Sequence, residues 1–198
     1  MSSSSTPVED HPKRAAVLDA ALAVFGRFGF RKTSMEAVAK AAGISRPGLY
    51  LLFPNKEQLY RATMQGVMEG AQRDMESRFA DDTLSFEDKL VEAFDALMGL
   101  YVESQVSRDL AALLAGSGPQ LGSMFGDYQD KAQATITAQI KNQAPAGLLT
   151  ARCTAQDVMD LLYAAALTWK SSAATRDEFR ERVRRATQLI CRSQGQHR

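Results

Sequence analysis

Apolar residues recur along this chain at helical spacing, and no stretch alternates in the way a half-buried strand does. A first helix is predicted after Pro12, with Val17, Leu18, Ala21, Leu22, Val24, Phe25 and Phe28 on one wide stripe, until Gly26 and Gly29 weaken and end it. Thr33-Ser-Met-Glu36 has the form of a capping box and predicts a short helix continuing through Ala42. Gly43 stops that helix where a positive φ costs little, and Ser45 caps a third, with Arg46, Pro47 and Gly48 in its first turn. Proline is tolerated there because first-turn amides have no acceptor within the helix. Phe53-Pro54-Asn55 breaks the third helix and caps a fourth, running from Lys56 towards Phe79.

The same periodicity continues. Ser85 opens a helix with the stripe Phe86, Leu90, Phe94, Leu97, Tyr101, followed by a shorter helix around Ser107 to Ala115. Gly116 to Pro119 is a break, Gln120 to Gln143 is predicted helical, and Ala144 to Leu149 reads as a loop. Thr154 with Asp157, then Thr175 with Glu178, open two last helices on the apolar strips Val158, Leu161, Leu162, Ala165, Trp169 and Phe179, Val183, Ala186, Ile190. The expected fold is all-α, with about nine helices. The expected divisions are a disordered tail at 1–10, a helix-turn-helix domain at 11–57 and a helical bundle at 58–198.

Charge sharpens this division. The chain of 198 residues has a net charge of only +1, but residues 11 to 61 hold nine Lys or Arg against Asp19, Glu36 and Glu57. A compact basic segment beside a mildly acidic remainder suits a polyanion-binding module joined to a part with another task. The Ser-rich, acidic N-terminus has no apolar signal-peptide core, and the apolar stretch Leu161 to Trp169 is far short of the roughly 20 residues a membrane helix needs. With two isolated cysteines, Cys153 and Cys191, these features lead us to expect a cytoplasmic protein without membrane attachment. Both thiols are read first as packing residues, with redox sensing as the alternative.

In the segment from Met35 to Phe53, Val38, Ala42, Ile44, Leu49 and Leu52 supply the contacts that lock two short helices together, with small Ala39 at their close approach and Gly43 in the turn. The second of these helices is then expected in the major groove of duplex DNA. Ser45 and Arg46 suit phosphate or base edges, Arg46 by bidentate contact with guanine, while Pro47 and Gly48 keep the contact surface thin. Tyr50 offers a hydroxyl and Lys56 a charge for the DNA backbone.

The run AALAVFGRFGFRKTSMEAVAKAAGISRPGLYLLFPNKEQLY, residues 20–60, resembles the TetR family of repressors. The resemblance lies in Ala20-Ala21, Phe25, Gly29-Phe30, Thr33-Ser34, Ala39, Ala42-Gly43-Ile44-Ser45, Leu49-Tyr50, Phe53 and Lys56-Glu57-x-Leu59. It implies that Thr33, beside Ser34, anchors phosphate together with Tyr50 and Lys56, and that Ser45 to Gly48 face the groove. Arg46-Pro47-Gly48 varies the small-residue trio usual in that family. The resemblance further implies a C-terminal domain that dimerises through its last two long helices, on a palindromic operator.

Inward aromatic and Met side chains of a helical bundle serve as core or as the lining of a ligand cavity. The candidates for a small apolar or amphipathic ligand are Phe94, Met98, Tyr101, Met124, Phe125, Tyr128, Tyr163 and Trp169; for each, plain packing is the competing role. Val158, Leu162, Phe179, Val183, Ala186 and Ile190 are the candidates for burial against a twin subunit. The function expected is a ligand-released repressor, the alternative a DNA-binding regulator without a small ligand, architectural or partner-controlled. An enzyme is the rival class. His11 and His197 are the only histidines and lie near opposite ends, and no phosphate-cradling glycine loop occurs, so neither a catalytic site, a metal centre nor a cofactor is expected.

Overall fold

The computed structural model describes residues 10–99, 102 and 121–192. Among them are eight helices: α1 Asp10–Lys32, α2 Met35–Ala41, α3 Arg46–Leu52, α4 Lys56–Ala80, α5 Phe86–Met98, α6 Met124–Gln143, α7 Ala155–Ser172 and α8 Arg176–Arg192. The expected helix around Ser107 to Ala115, and Tyr101, lie outside the described residues. The described residues form no strand, only an isolated bridge between Thr150 and Cys153. The chain divides into two compact units, with the described residues up to Val67 plus Leu121 and Gly122 in one and Met68 to Gly99, Val102 and Ser123 to Arg192 in the other.

In the first unit, Val17, Ala21 and Phe25 of α1 are buried, as are Val38, Leu49 and Phe53 around the turn and Leu59, Tyr60 and Met64 of α4. Phe25 meets Tyr60 edge-on at 4.9 Å between centroids, and Phe30 lies 5.0 Å from the same ring. These α4 side chains carry the unit beyond the expected boundary at residue 57. Gly29 has φ +73 and kinks α1, which continues through Arg31 and Lys32. The N-cap of α2 is Ser34, whose Oγ accepts from the Ala37 amide at 3.1 Å. Thr33 therefore does not open the helix, and the expected Thr33–Glu36 capping box does not form. Gly43 has φ +66 in the turn, and Ser45 caps α3 by accepting from the Gly48 amide at 3.1 Å.

In the second unit, α5 packs against α7 and α8, and α7 also against α6 and α8. Phe79, Leu90, Phe94, Ile136, Ile140, Met159, Leu162 and Phe179 belong to one continuous core. Thr154 and Asp157 form the expected capping box on α7. Across α5 and α8 lies an ion network. Arg176 donates two 2.8 Å bonds to the buried Asp95 carboxylate, and Arg180 donates to Asp95 at 2.6 Å and to Glu92. These partners hold both guanidinium pKa values above their ordinary value.

The dimer candidates lie in or against this chain's own core. Val158, Leu162, Phe179 and Val183 are buried in this chain's own core, and Ala186 and Ile190 pack against it. Apolar periodicity identifies the covered face of a helix but not what covers it. The exposed large apolar residues of α7 and α8 are Leu161, at 60 %, and Leu189, at 73 %.

Cys191 is half-buried, and burial with Glu87 as neighbour pushes its pKa up to about 11. Its thiol is protonated at neutral pH and a weak nucleophile. Alkylation of Cys191 by iodoacetamide at pH 7, followed by peptide mass spectrometry, should run at least tenfold slower in the native chain than in denaturant; equal rates would contradict this environment.

Candidate nucleic-acid interface

Local rules aim the α3 surface outward. Leu49 is buried and Leu52 half-buried, which anchors one side of a seven-residue helix and turns Arg46, Pro47, Tyr50 and Leu51 to solvent. A Cβ on Gly48 would come within 3.1 Å of Ser45 Oγ, so glycine there keeps the cap uncrowded. The Arg46 guanidinium lies 5.7 Å from the Tyr50 ring centroid, one turn away, a cation–π contact that steadies it without consuming its donors. Ser34 and Ser45 each accept a cap bond, which leaves each hydroxyl proton to donate outward. Tyr50 is 40 % exposed.

Two residues expected at phosphates are differently placed. Thr33 is only 4 % exposed, and its hydroxyl donates to the Gly29 carbonyl at 2.8 Å. That hydroxyl holds the end of α1. Lys56 Nζ donates to the carbonyls of Thr33 at 3.1 Å and Arg31 at 3.5 Å, and sits 4.5 Å from the Phe30 ring centroid. It therefore ties the start of α4 to the end of α1 as well as carrying charge. Lys56→Ala should reduce the salt slope of DNA binding by about one unit. It should also destabilise the first unit by about 1 kcal/mol through the lost carbonyl contacts. Titrations at several salt concentrations beside thermal melting check both, and an unchanged slope would remove Lys56 from the phosphate contacts.

Arg14 is a positioning residue that sequence reasoning did not single out. Its guanidinium lies 4.4 Å from the Phe53 ring centroid and donates to the Leu52 carbonyl at 3.4 Å, where α3 ends. No periodic signal marks an exposed arginine 38 residues from its acceptor. Arg27, Arg31, Lys32 and Lys40 are further exposed cations of the same unit.

The described ligand-pocket candidates belong to the second unit, and Tyr101 lies outside the described residues. Phe94 and Met98 are buried in the core, while Tyr128, Tyr163 and Trp169 are half-buried against it. Met124 and Phe125 are half-exposed, with the Phe125 and Tyr128 rings 6.3 Å apart. Gln129 donates to the Tyr163 hydroxyl at 2.8 Å, and burial raises the Tyr163 pKa. Phe94 and Met98 are thus packed as core, and the partly covered aromatics are the ones with surface left to offer. No cluster of three His, Cys, Asp or Glu that would hold a metal occurs among the described residues. No described helix is long and apolar enough to cross a membrane.

An all-helical chain with a cationic helix-turn-helix head defines the class. Residues 17–63 match the model of the tetR family of bacterial regulatory proteins. It is 42 % identical over 57 residues to the HTH-type transcriptional regulator RutR of Escherichia coli, a match covering 29 % of this chain and 27 % of RutR. Beyond that head the fold itself is shared. Salmonella enterica GusR superposes with a TM-score of 0.69 at 24 % identity, covering 94 % of this chain and 97 % of GusR. Bacillus subtilis FadR, in complex with stearoyl-CoA, gives 0.68 at 16 % identity, covering 90 % of this chain and 97 % of FadR. RutR and FadR are transcriptional regulators.

Proposed function

We propose that the chain is a DNA-binding transcriptional repressor that grips a palindromic operator as a homodimer and is released by a small apolar or amphipathic ligand. The observation that carries this reading is the α3 surface, where Arg46, Pro47 and Tyr50 stand exposed on a segment of strongly positive charge. Ser34, Ser45, Tyr50 and Lys56 supply the backbone contacts, and Arg46 the base contact. The family match over the head supports it.

The twin subunit is assigned to the outer faces of α7 and α8. Leu161, Ala164 and Thr168 form a stripe of one large and two small exposed residues on α7, and Leu189 stands exposed on α8. Such a surface suits a four-helix contact about a two-fold axis. The half-buried aromatics Tyr128, Tyr163 and Trp169 are the ligand-facing candidates. FadR's bound stearoyl-CoA favours an amphipathic ligand over none. The ligand acts by binding more tightly to the state in which the two heads are wrongly spaced for successive major grooves.

Selection of bound sequences from random duplexes tests the DNA half, and an inverted repeat is expected. Absence of any enriched sequence would overturn it. Thermal shift against acyl-CoAs and other amphiphiles tests the ligand half. If none stabilises the chain or weakens operator binding, the ligand-free regulator replaces the released repressor.

A further inference from the structure

We infer that Leu51 reads the C5-methyl group of thymine in the major groove and that this apolar contact, together with the polar contacts of Arg46, sets operator preference. The inference rests on α3 being the DNA-facing helix. Leu51 is 87 % exposed, more than any other exposed large apolar residue described. It contributes no packing, because Leu49 and Leu52 anchor the helix from its other side. Helical spacing pairs Arg46 with Tyr50 and Pro47 with Leu51, which makes two adjoining strips on one outward face, one polar and one apolar.

Charge selects the occupant of that face. With nine basic and three acidic residues between positions 11 and 61, the head attracts a polyanion. Within the major groove of a duplex the apolar feature is the thymine methyl, which accepts aliphatic contact, while the edges of the other bases present donors and acceptors. Pro47 lacks an amide donor and has an aliphatic ring, so it extends the apolar strip towards the start of the helix.

The test compares the native chain with Leu51→Ala, a change at an exposed helical position that preserves helix propensity. Sequences are first selected from random duplexes by the native chain. Each enriched thymine is then replaced by deoxyuridine, which removes the methyl and leaves base pairing intact. The native chain is expected to lose about fourfold in affinity at the uracil-substituted position, the equivalent of one buried methyl group. Leu51→Ala should bind the thymine duplex about fourfold more weakly and be indifferent to the replacement. An equal uracil penalty in both proteins, no enriched thymine, or an effect of Leu51→Ala on self-association alone would overturn the inference while leaving α3 as the reading helix. Absence of any enriched sequence with the native chain would instead overturn the DNA-binding reading itself.

Discussion

Replacing Asp95 with alanine is expected to destabilise the second unit by about 3 kcal/mol, the low end of the cost of removing one partner from a buried ion pair. Asp95 is buried and accepts three hydrogen bonds from Arg176 and Arg180. Removing the carboxylate leaves two guanidinium groups facing each other, with Glu92 still bonded to Arg180. Both arginines retain partial access to water, which keeps the cost at that low end. Trp169, the chain's only tryptophan, belongs to this unit, so its fluorescence in a denaturant titration reports the change. Gly99→Ala should damage the same network, because a Cβ there would run into the Asp95 carboxylate. The two substitutions should therefore be clearly non-additive. A loss under 1 kcal/mol for Asp95→Ala would show that the network does not hold α5 to α8.

Arg46→Ala is expected to relax discrimination at one base position of each half-site by about 1–3 kcal/mol, or roughly 5- to 150-fold. The guanidinium is exposed, is held near the Tyr50 ring and lies at the start of α3, where a side chain reaches base edges. Arg46→Lys should not restore the preference, because an ammonium lacks the planar fork that engages two acceptors of one base. Competition among duplexes carrying every single-base change measures this directly. If Arg46→Ala weakens all duplexes equally and lowers the salt slope as Lys56→Ala does, Arg46 is a phosphate contact and the base is read elsewhere.

The parts legible in the sequence are those set by short-range chemistry. Ser45, Ser85, Thr154 and Thr175 each cap a helix by bonds to an amide three residues ahead, and such bonds can be read from spacing. Thr33 and Ser34 show where spacing fails. Both are hydroxyl residues suited to a cap, and the choice fell to Ser34 because the kink at Gly29 presents a carbonyl that Thr33 satisfies. Contacts far apart in sequence left no signal. Asp95 and Arg176 are 81 residues apart, and Arg14 and Leu52 are 38 apart. The strips on α7 and α8 were legible as apolar, but not as facing their own bundle. Leu51 stayed hidden because apolar residues inside a short helix look alike until the packing shows which one is left over.

The most direct test of the account is the mass of the complex formed with a selected inverted-repeat duplex, determined by sedimentation at moderate ionic strength. Two chains on one duplex are predicted, with dimer already present in the free protein and Leu161→Glu shifting it to monomer. A free monomer that binds selected and scrambled duplexes with equal strength would contradict both the reading head and its twofold use.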